Sequence, residues 1–189
     1  SPLSQSEIAR REEVPFASDL TVAAKRCDGR DSMGMMNSIV TGCFPELHKD
    51  STLSPWAFYS DYVDSYIARD VMEIVNLKDQ LNFFNFMQVM ASMTGQELVK
   101  ETICDAVGIN GRTFNEWLSV LVAGDIIHLL QPYSGVSTVK RVSKRPKIYF
   151  RDTGLACYLS RIADGPTLSS SYLKGPMTET YIVNEIMKT

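Results

Sequence analysis

Between residues 140 and 151 the chain carries Lys140, Arg141, Lys144, Arg145, Lys147 and Arg151 and no acidic residue. The run sits in "SGVSTVKRVSKRPKIYF", beside the apolar stretch "IIHLLQPY". A basic turn between two strands suits one chemistry well. Its ammonium and guanidinium groups can replace the counterions condensed on a nucleic acid, which gives affinity without reading sequence. Upstream, "TICDAVGINGRTFNEWLSVL" reads as two short helices with Gly108 at the turn. The outer positions of its second helix include Arg112, Thr113 and Asn115, and such side chains can meet the edges of guanine or adenine in a major groove. Glu116, on the same face, would repel phosphate unless it accepted from cytosine. The expected nucleic-acid-binding set is therefore Arg112, Thr113, Asn115, Lys140, Arg141, Lys144, Arg145 and Lys147. A solvated basic hairpin that balances the acidic remainder is the bland alternative.

Other chemistries find less support. Cys27, Cys43, Cys104 and Cys157 are far apart, and His48 and His128 stand alone. With no C-x-x-C spacing, reduced thiols and no metal site are expected. The nearest approach to a phosphate loop, Gly29 to Gly34, is followed by Met35 and Met36. It lacks the Lys that reaches phosphate and the hydroxyl that holds Mg²⁺, so no nucleotide is expected here. No carboxylate constellation supports catalysis. Glu179 and Glu185 read as solvated helix residues, His128 as a core histidine, and Arg69 with Asp70 as a surface ion pair or an anchor. No run of about 18 apolar residues exists, so no membrane partner is expected. Without a signal-peptide pattern, a cytoplasmic protein is expected.

The net charge of −3 hides an asymmetry: residues 1–139 carry 10 basic and 18 acidic residues, whereas 140–151 carry six basic residues alone. The basic charge is local, which matters more for partners than the total. Residues 1–40 read as a connector, with polar loop character over 18–36. "GCFPELHKD" has the Gly and Pro of a turn. From Ser54, an N-cap before Pro55, a helix should run past Ile67 to Ile74. Its stripe is Trp56, Tyr59, Val63, Ile67, Val71 and Ile74. A second helix over 79–93, apolar nearly all round, should be the central buried one. Helix, helix, turn, helix, strand, wing and strand is then the order of a winged helix. The fold class expected is mainly α: a winged helix with packed flanking helices. Residues 41–95 form a helical support and 96–165 the winged-helix module. A linker with Pro166 and Ser169 to Ser171 then leads to a last helix beginning near Pro176. The chain starts without Met and stops inside a helical pattern, so a piece of a longer protein is expected.

Five ordered blocks carry a resemblance: "GCFPELHKD", "YVDSYIARDV", "DAVGINGRTFNEWLSVLVAGDIIHLLQPY", "RPKIYFRDTGLACYL" and "GPMTETYIVNEI". Over roughly 40–188 they resemble the region that follows the ATPase core in predicted archaeal and bacterial AAA-superfamily ATP-binding proteins. "PLSQSE" is similar to the exit from that core. The resemblance implies a parent with an N-terminal P-loop ATPase using ATP and Mg²⁺, then a winged-helix-like segment, then a nuclease-like fold. Residues 166–189 would hold the linker and first helix of that last fold, with Glu179 where such nucleases place their first metal-binding acid. It implies a non-catalytic region that binds or tethers DNA. The alternative is a lid-like interaction module that packs on its own ATPase core or pairs subunits in a homo-oligomer.

Overall fold

The structure, a computed structural model, describes residues 2–10, 32–67, 80–133 and 145–188. Among these the chain is mainly helical. Its elements are α1 (Gln5–Ile8), α2 (Ser32–Thr41), α3 (Pro45–Lys49), α4 (Pro55–Asp61), a π-helical turn (Tyr62–Ile67), α5 (Gln80–Ser92), α6 (Lys100–Val107), α7 (Gly111–Ala123), β1 (Ile127–Leu130), β2 (Lys147–Phe150), α8 (Thr153–Leu159), α9 (Gly165–Ser170) and α10 (Lys174–Lys188).

Helices α5 and α7 form the aromatic part of the core. Trp117 meets Phe83 at 5.3 Å and Phe86 at 5.5 Å, and Phe86 meets Phe114 at 5.7 Å, all near edge-on. That arrangement suits ring quadrupoles better than face-to-face stacking. Phe114, Trp117 and Leu121 recur at helical spacing and are buried, as the stripe on α7 predicts. The expectation for α5 needs correcting. Phe83, Phe86, Met87, Met90 and Ala91 are buried, but Leu81 is 73% exposed, so the helix keeps one face in solvent. On α6 only Ile103 is buried, and Ala106 faces outward.

The turn between α6 and α7 follows the sequence closely. Gly108 takes φ 77°, a left-handed conformation cheap only for glycine, and its amide bonds the carbonyl of Cys104 at 2.8 Å. The Asn110 side chain then accepts from the amides of Arg112 and Thr113, capping α7. β1 and β2 pair antiparallel, with Ile127 opposite Phe150 and Leu130 opposite Lys147. The far edge of β2 is also occupied: the Gly95 amide bonds the Ile148 carbonyl at 2.7 Å, and the Ile148 amide bonds Gln96 at 2.9 Å. β2 is thus central. Its Ile148, Tyr149 and Phe150 are all buried rather than alternating, because both faces are covered.

Three parts of the chain meet at one carboxylate. Asp152 caps α8 by accepting from the Leu155 amide at 2.8 Å, and it also accepts from the Tyr59 hydroxyl at 2.6 Å and the Cys43 amide at 2.7 Å. Gly154 makes room for this: a Cβ there would lie 2.7 Å from Tyr59 ring carbons.

Several expectations change. The stretch 42–50 contains a short helix, α3, because Pro45 suits a first helical position. The single long helix after Ser54 changes to π geometry at Tyr62, which shifts the apolar stripe. Tyr59 and Val63 stay buried, while Trp56 is 43% exposed and rests on Tyr158 at 4.8 Å. Ser54 makes no side-chain cap bond. The serine-rich stretch after Pro166 is not extended; it forms α9, capped by Asp164 and anchored by buried Leu168. The connector is docked where it is described. Ser4 and Glu7 form a capping box, the Leu3 amide bonds the Cys43 carbonyl at 2.7 Å, and the Gln5 amide bonds Glu185 at 2.7 Å. Lys188 returns the contact by donating to the Leu3 carbonyl at 2.7 Å. Residues 11–31 of the connector, Arg69 with Asp70, and the end of the helix expected to reach Ile74 lie outside the described residues.

Candidate nucleic-acid interface

The Asn110 cap and the buried stripe of α7 turn Arg112, Asn115, Glu116 and Ser119 outward, with Thr113 half-buried. Arg112 is committed to Glu116, Nε to Oε1 at 2.9 Å, one turn along the same helix. Asn115 accepts from Lys100 Nζ of α6 at 3.0 Å. In this state neither side chain is poised for a base edge. Exposed pairs of this kind contribute about 0–1 kcal/mol, so a phosphate can outcompete them.

At the root of the basic connection, Arg145 approaches Glu101 at 3.9 Å and Lys147 bonds Glu179 at 2.7 Å. Lys140, Arg141 and Lys144 lie outside the described residues. The structure therefore places Arg145 and Lys147 near the β1–β2 connection and Arg112 and Asn115 on α7, each with an intramolecular partner.

Glu179 is the residue most changed from its sequence reading as a solvated helix position. Its Oε1 accepts from Lys147 Nζ at 2.7 Å and from the Tyr149 hydroxyl at 2.6 Å. Burial pushes the Glu179 carboxyl up, but the bonds from Lys147 and Tyr149 and the Lys147 charge outweigh it and hold the group below the usual range. Tyr149 moves the opposite way, upward, through burial and then the Glu179 bond, so it stays a donor. The same face of α10 continues the attachment. Thr180 bonds Thr94 at 2.8 Å, and Asn184 donates to the carbonyl of Phe150 at 2.7 Å. Helix α10 is thereby stitched to β2 along the strand. Glu185 is likewise engaged, with Gln5 and with Lys188 at 3.2 Å.

A carboxyl held below its ordinary value stabilises the fold above its unfolded pKa, about 4.3, and that contribution fades as pH falls through the lower folded value. Glu179→Gln should thus lower stability near neutral pH by about 1 kcal/mol or less, since both side chains are 43% exposed. Urea unfolding from pH 7 down to about pH 3 should show the gap between wild type and variant closing. A gap that does not change with pH would mean the ion pair contributes nothing.

Sequence reasoning missed the Asp152 assembly and the Arg151–Asp125 pair, Nε to Oδ1 at 2.7 Å. Asp125 adopts φ 53°, which only the "GD" turn hinted at. His128 is half-buried on β1, with burial and then Arg151 holding its pKa down, in keeping with a packed histidine. Among the described residues no group of three or more His, Cys, Asp or Glu could hold a metal ion, and Cys43, Cys104 and Cys157 are unbridged. No described helix is long and apolar enough to cross a membrane.

Comparison with known proteins places this geometry in a family. The chain is 22% identical over 184 residues to the uncharacterized protein Rv2008c of Mycobacterium tuberculosis, and to the same degree to the uncharacterized protein Mb2031c of Mycobacterium bovis. The alignments cover 97% of this chain and 41% of each relative, so the chain spans about two fifths of the curated relatives it matches. No solved structure matches. Residues 34–165, which include the Asp152 assembly, α6, α7 and both strands, match a domain of unknown function (DUF8612), and the chain belongs to that family.

Proposed function

We propose that this region is a winged-helix module that tethers its parent protein weakly to nucleic acid through phosphates. One observation carries the reading: helix α5, an edge segment bonded to β2, the α6–turn–α7 pair, β1, a basic connection and β2 follow one another in winged-helix order. In this reading the connection is the wing, with Lys140, Arg141, Lys144, Arg145 and Lys147 directed to phosphate. Helix α7 is the recognition helix, yet Arg112 and Asn115 contribute little base reading because Glu116 and Lys100 hold them. In this reading the module binds and does not catalyse, and no cofactor is assigned to it. An ATPase core using ATP and Mg²⁺ elsewhere in the parent, and a cytoplasmic setting, belong to the same proposal and rest on the sequence resemblance.

Duplex affinity should be roughly 10⁻⁴ to 10⁻⁶ M and nearly independent of sequence. Each lost phosphate contact should reduce the salt slope by about one unit. Replacing Arg145 and Lys147 with Ala should weaken all duplexes alike, and Asn115→Ala should change little. Fluorescence anisotropy with a labelled duplex at several salt concentrations measures this. No binding at about 20 mM salt, where the Debye length is roughly 20 Å, would sink the nucleic-acid reading.

A second reading, an interaction module, is favoured by a different feature. An apolar groove of about 520 Å³ runs between α2 and α10, lined by Met35, Met36, Ile182 and Val183. Ile182 in its wall is 48% exposed, and Ile186, about one turn further along α10, is 41% exposed. Packing on the parent's own core, or pairing of two copies, would cover it. Concentration-dependent mass in light scattering would favour two copies.

A further inference from the structure

We propose that the cavity beside Asp152 binds a small organic cation, a guanidinium or primary ammonium group, between the rings of Phe44 and Tyr62 and the buried carboxylate. The cavity holds about 190 Å³. A cavity on the order of 150 Å³ already accommodates a benzene ring, so one such group fits and a folded peptide does not. Its walls come from five separated stretches: Pro2, Phe44, Tyr62, Asp125, Arg151 and Asp152 all line it. Each lies in one of the sequence blocks singled out above, so the most distinctive parts of the chain converge on this space.

Charge selects the ligand. Arg151 and Asp125 neutralise each other at 2.7 Å. That leaves Asp152, 3% exposed, which accepts from Tyr59, Leu155 and Cys43 but bonds no cationic side chain among the described residues. Its Oδ1 takes two of these bonds and its Oδ2 only the Cys43 amide. The Lys188 ammonium, which acts on Asp152 electrostatically, is bound to the Leu3 carbonyl and to Glu185. Burial raises the Asp152 pKa despite Lys188, so keeping this carboxylate charged is costly, and a cation in the adjoining space lowers that cost. An anion would have to displace Asp125 from Arg151 and then face Asp152. The aromatic wall suits the same ligand: Phe44 and Tyr62, 4.9 Å apart with their planes tilted by 54°, both line the space, and aromatic rings attract cations. Asp125, at φ 53°, holds the Arg151 guanidinium at 2.7 Å, so that cation is already committed.

The same chemistry has two sources, a free small molecule or the side chain of an Arg or Lys from another protein. The test is a titration of the whole chain followed by amide NMR, with methylguanidinium, propylammonium and the neutral isostere N-methylurea. Both cations should give saturable shifts at residues 124–126 and 151–155 with roughly millimolar affinity, and N-methylurea should bind about tenfold more weakly or less. Ile126→Phe, which fills the cavity, should abolish binding. Phe44→Leu should weaken the cations about threefold while leaving the urea unchanged, and it carries the test if Ile126→Phe does not fold. An Arg-centred pentapeptide binding more tightly than methylguanidinium, against a norleucine control, assigns the group to a protein partner. The reverse order assigns it to a free small molecule. Equal binding of urea and cation, or no saturable shift at those amides, overturns the proposal.

Discussion

Asp152→Ala should destabilise the fold by about 3–5 kcal/mol, as expected when one member of a buried charged hydrogen-bond group is removed. The substitution deletes three bonds of 2.6–2.8 Å. It also leaves the Tyr59 hydroxyl and two buried amides without that acceptor. The Tyr59 hydroxyl also donates to the Thr41 carbonyl at 3.0 Å, so it retains one weaker partner. The loss should be felt at α2, α4 and α8 together, since the carboxylate is what they share. Urea unfolding of Asp152→Ala, Tyr59→Phe and the double variant measures the coupling. The double variant should be clearly more stable than the sum of the single losses predicts, because the second change removes a group the first had stranded. Strict additivity would show that Tyr59 and Asp152 do not act as a unit.

Trp117→Ala should lower stability by a similar amount, about 3–5 kcal/mol, by the combined loss of buried apolar surface and the cavity left behind. Trp117 is 2% exposed and touches Phe83 and Phe86 across the α5–α7 contact. The two rings, 31 and 34 residues upstream on α5, cannot follow a shrinking side chain without moving that helix. A loss below about 1 kcal/mol in denaturant unfolding would place Trp117 outside the core and reverse the faces of α7. Arg112 and Asn115 would then no longer be outer residues, so this experiment also tests the candidate interface.

Local rules made much of the fold legible. Gly108, Asn110 and the Phe114–Trp117–Leu121 spacing define the turn, the cap and the inner face of α7, and each acts within one or two helical turns. Asp152 was readable as a cap for the same reason. Its bonds to Tyr59 and Cys43 were not, since those partners are 93 and 109 residues away and a cap looks the same with or without them. Glu179 shows the same limit. As a lone acid on an amphipathic helix it gives no sign of Lys147 and Tyr149, which only the packing of α10 on β2 supplies. The basic run was visible as composition, while its pairing with Glu101 and Glu179 was not. The π turn at Tyr62–Ile67 was not legible, because hydrophobic spacing cannot distinguish an α turn from a π turn.

The docked segment at Leu3 and Gln5 meets Glu185 and Lys188 across separations of 180 and 185 residues. Residues 3–5 and 185–188 therefore lie at one spot. Topologically the chain is nearly a closed ring, and a short peptide joining residue 2 to residue 188 would complete that ring with little strain. A ring can be opened elsewhere, so a permuted order of the helices would keep the contacts described here, as in circularly permuted domains. The same geometry lets such a unit be spliced into a surface loop of another protein, because host segments that are already adjacent need not be pulled apart to accept it.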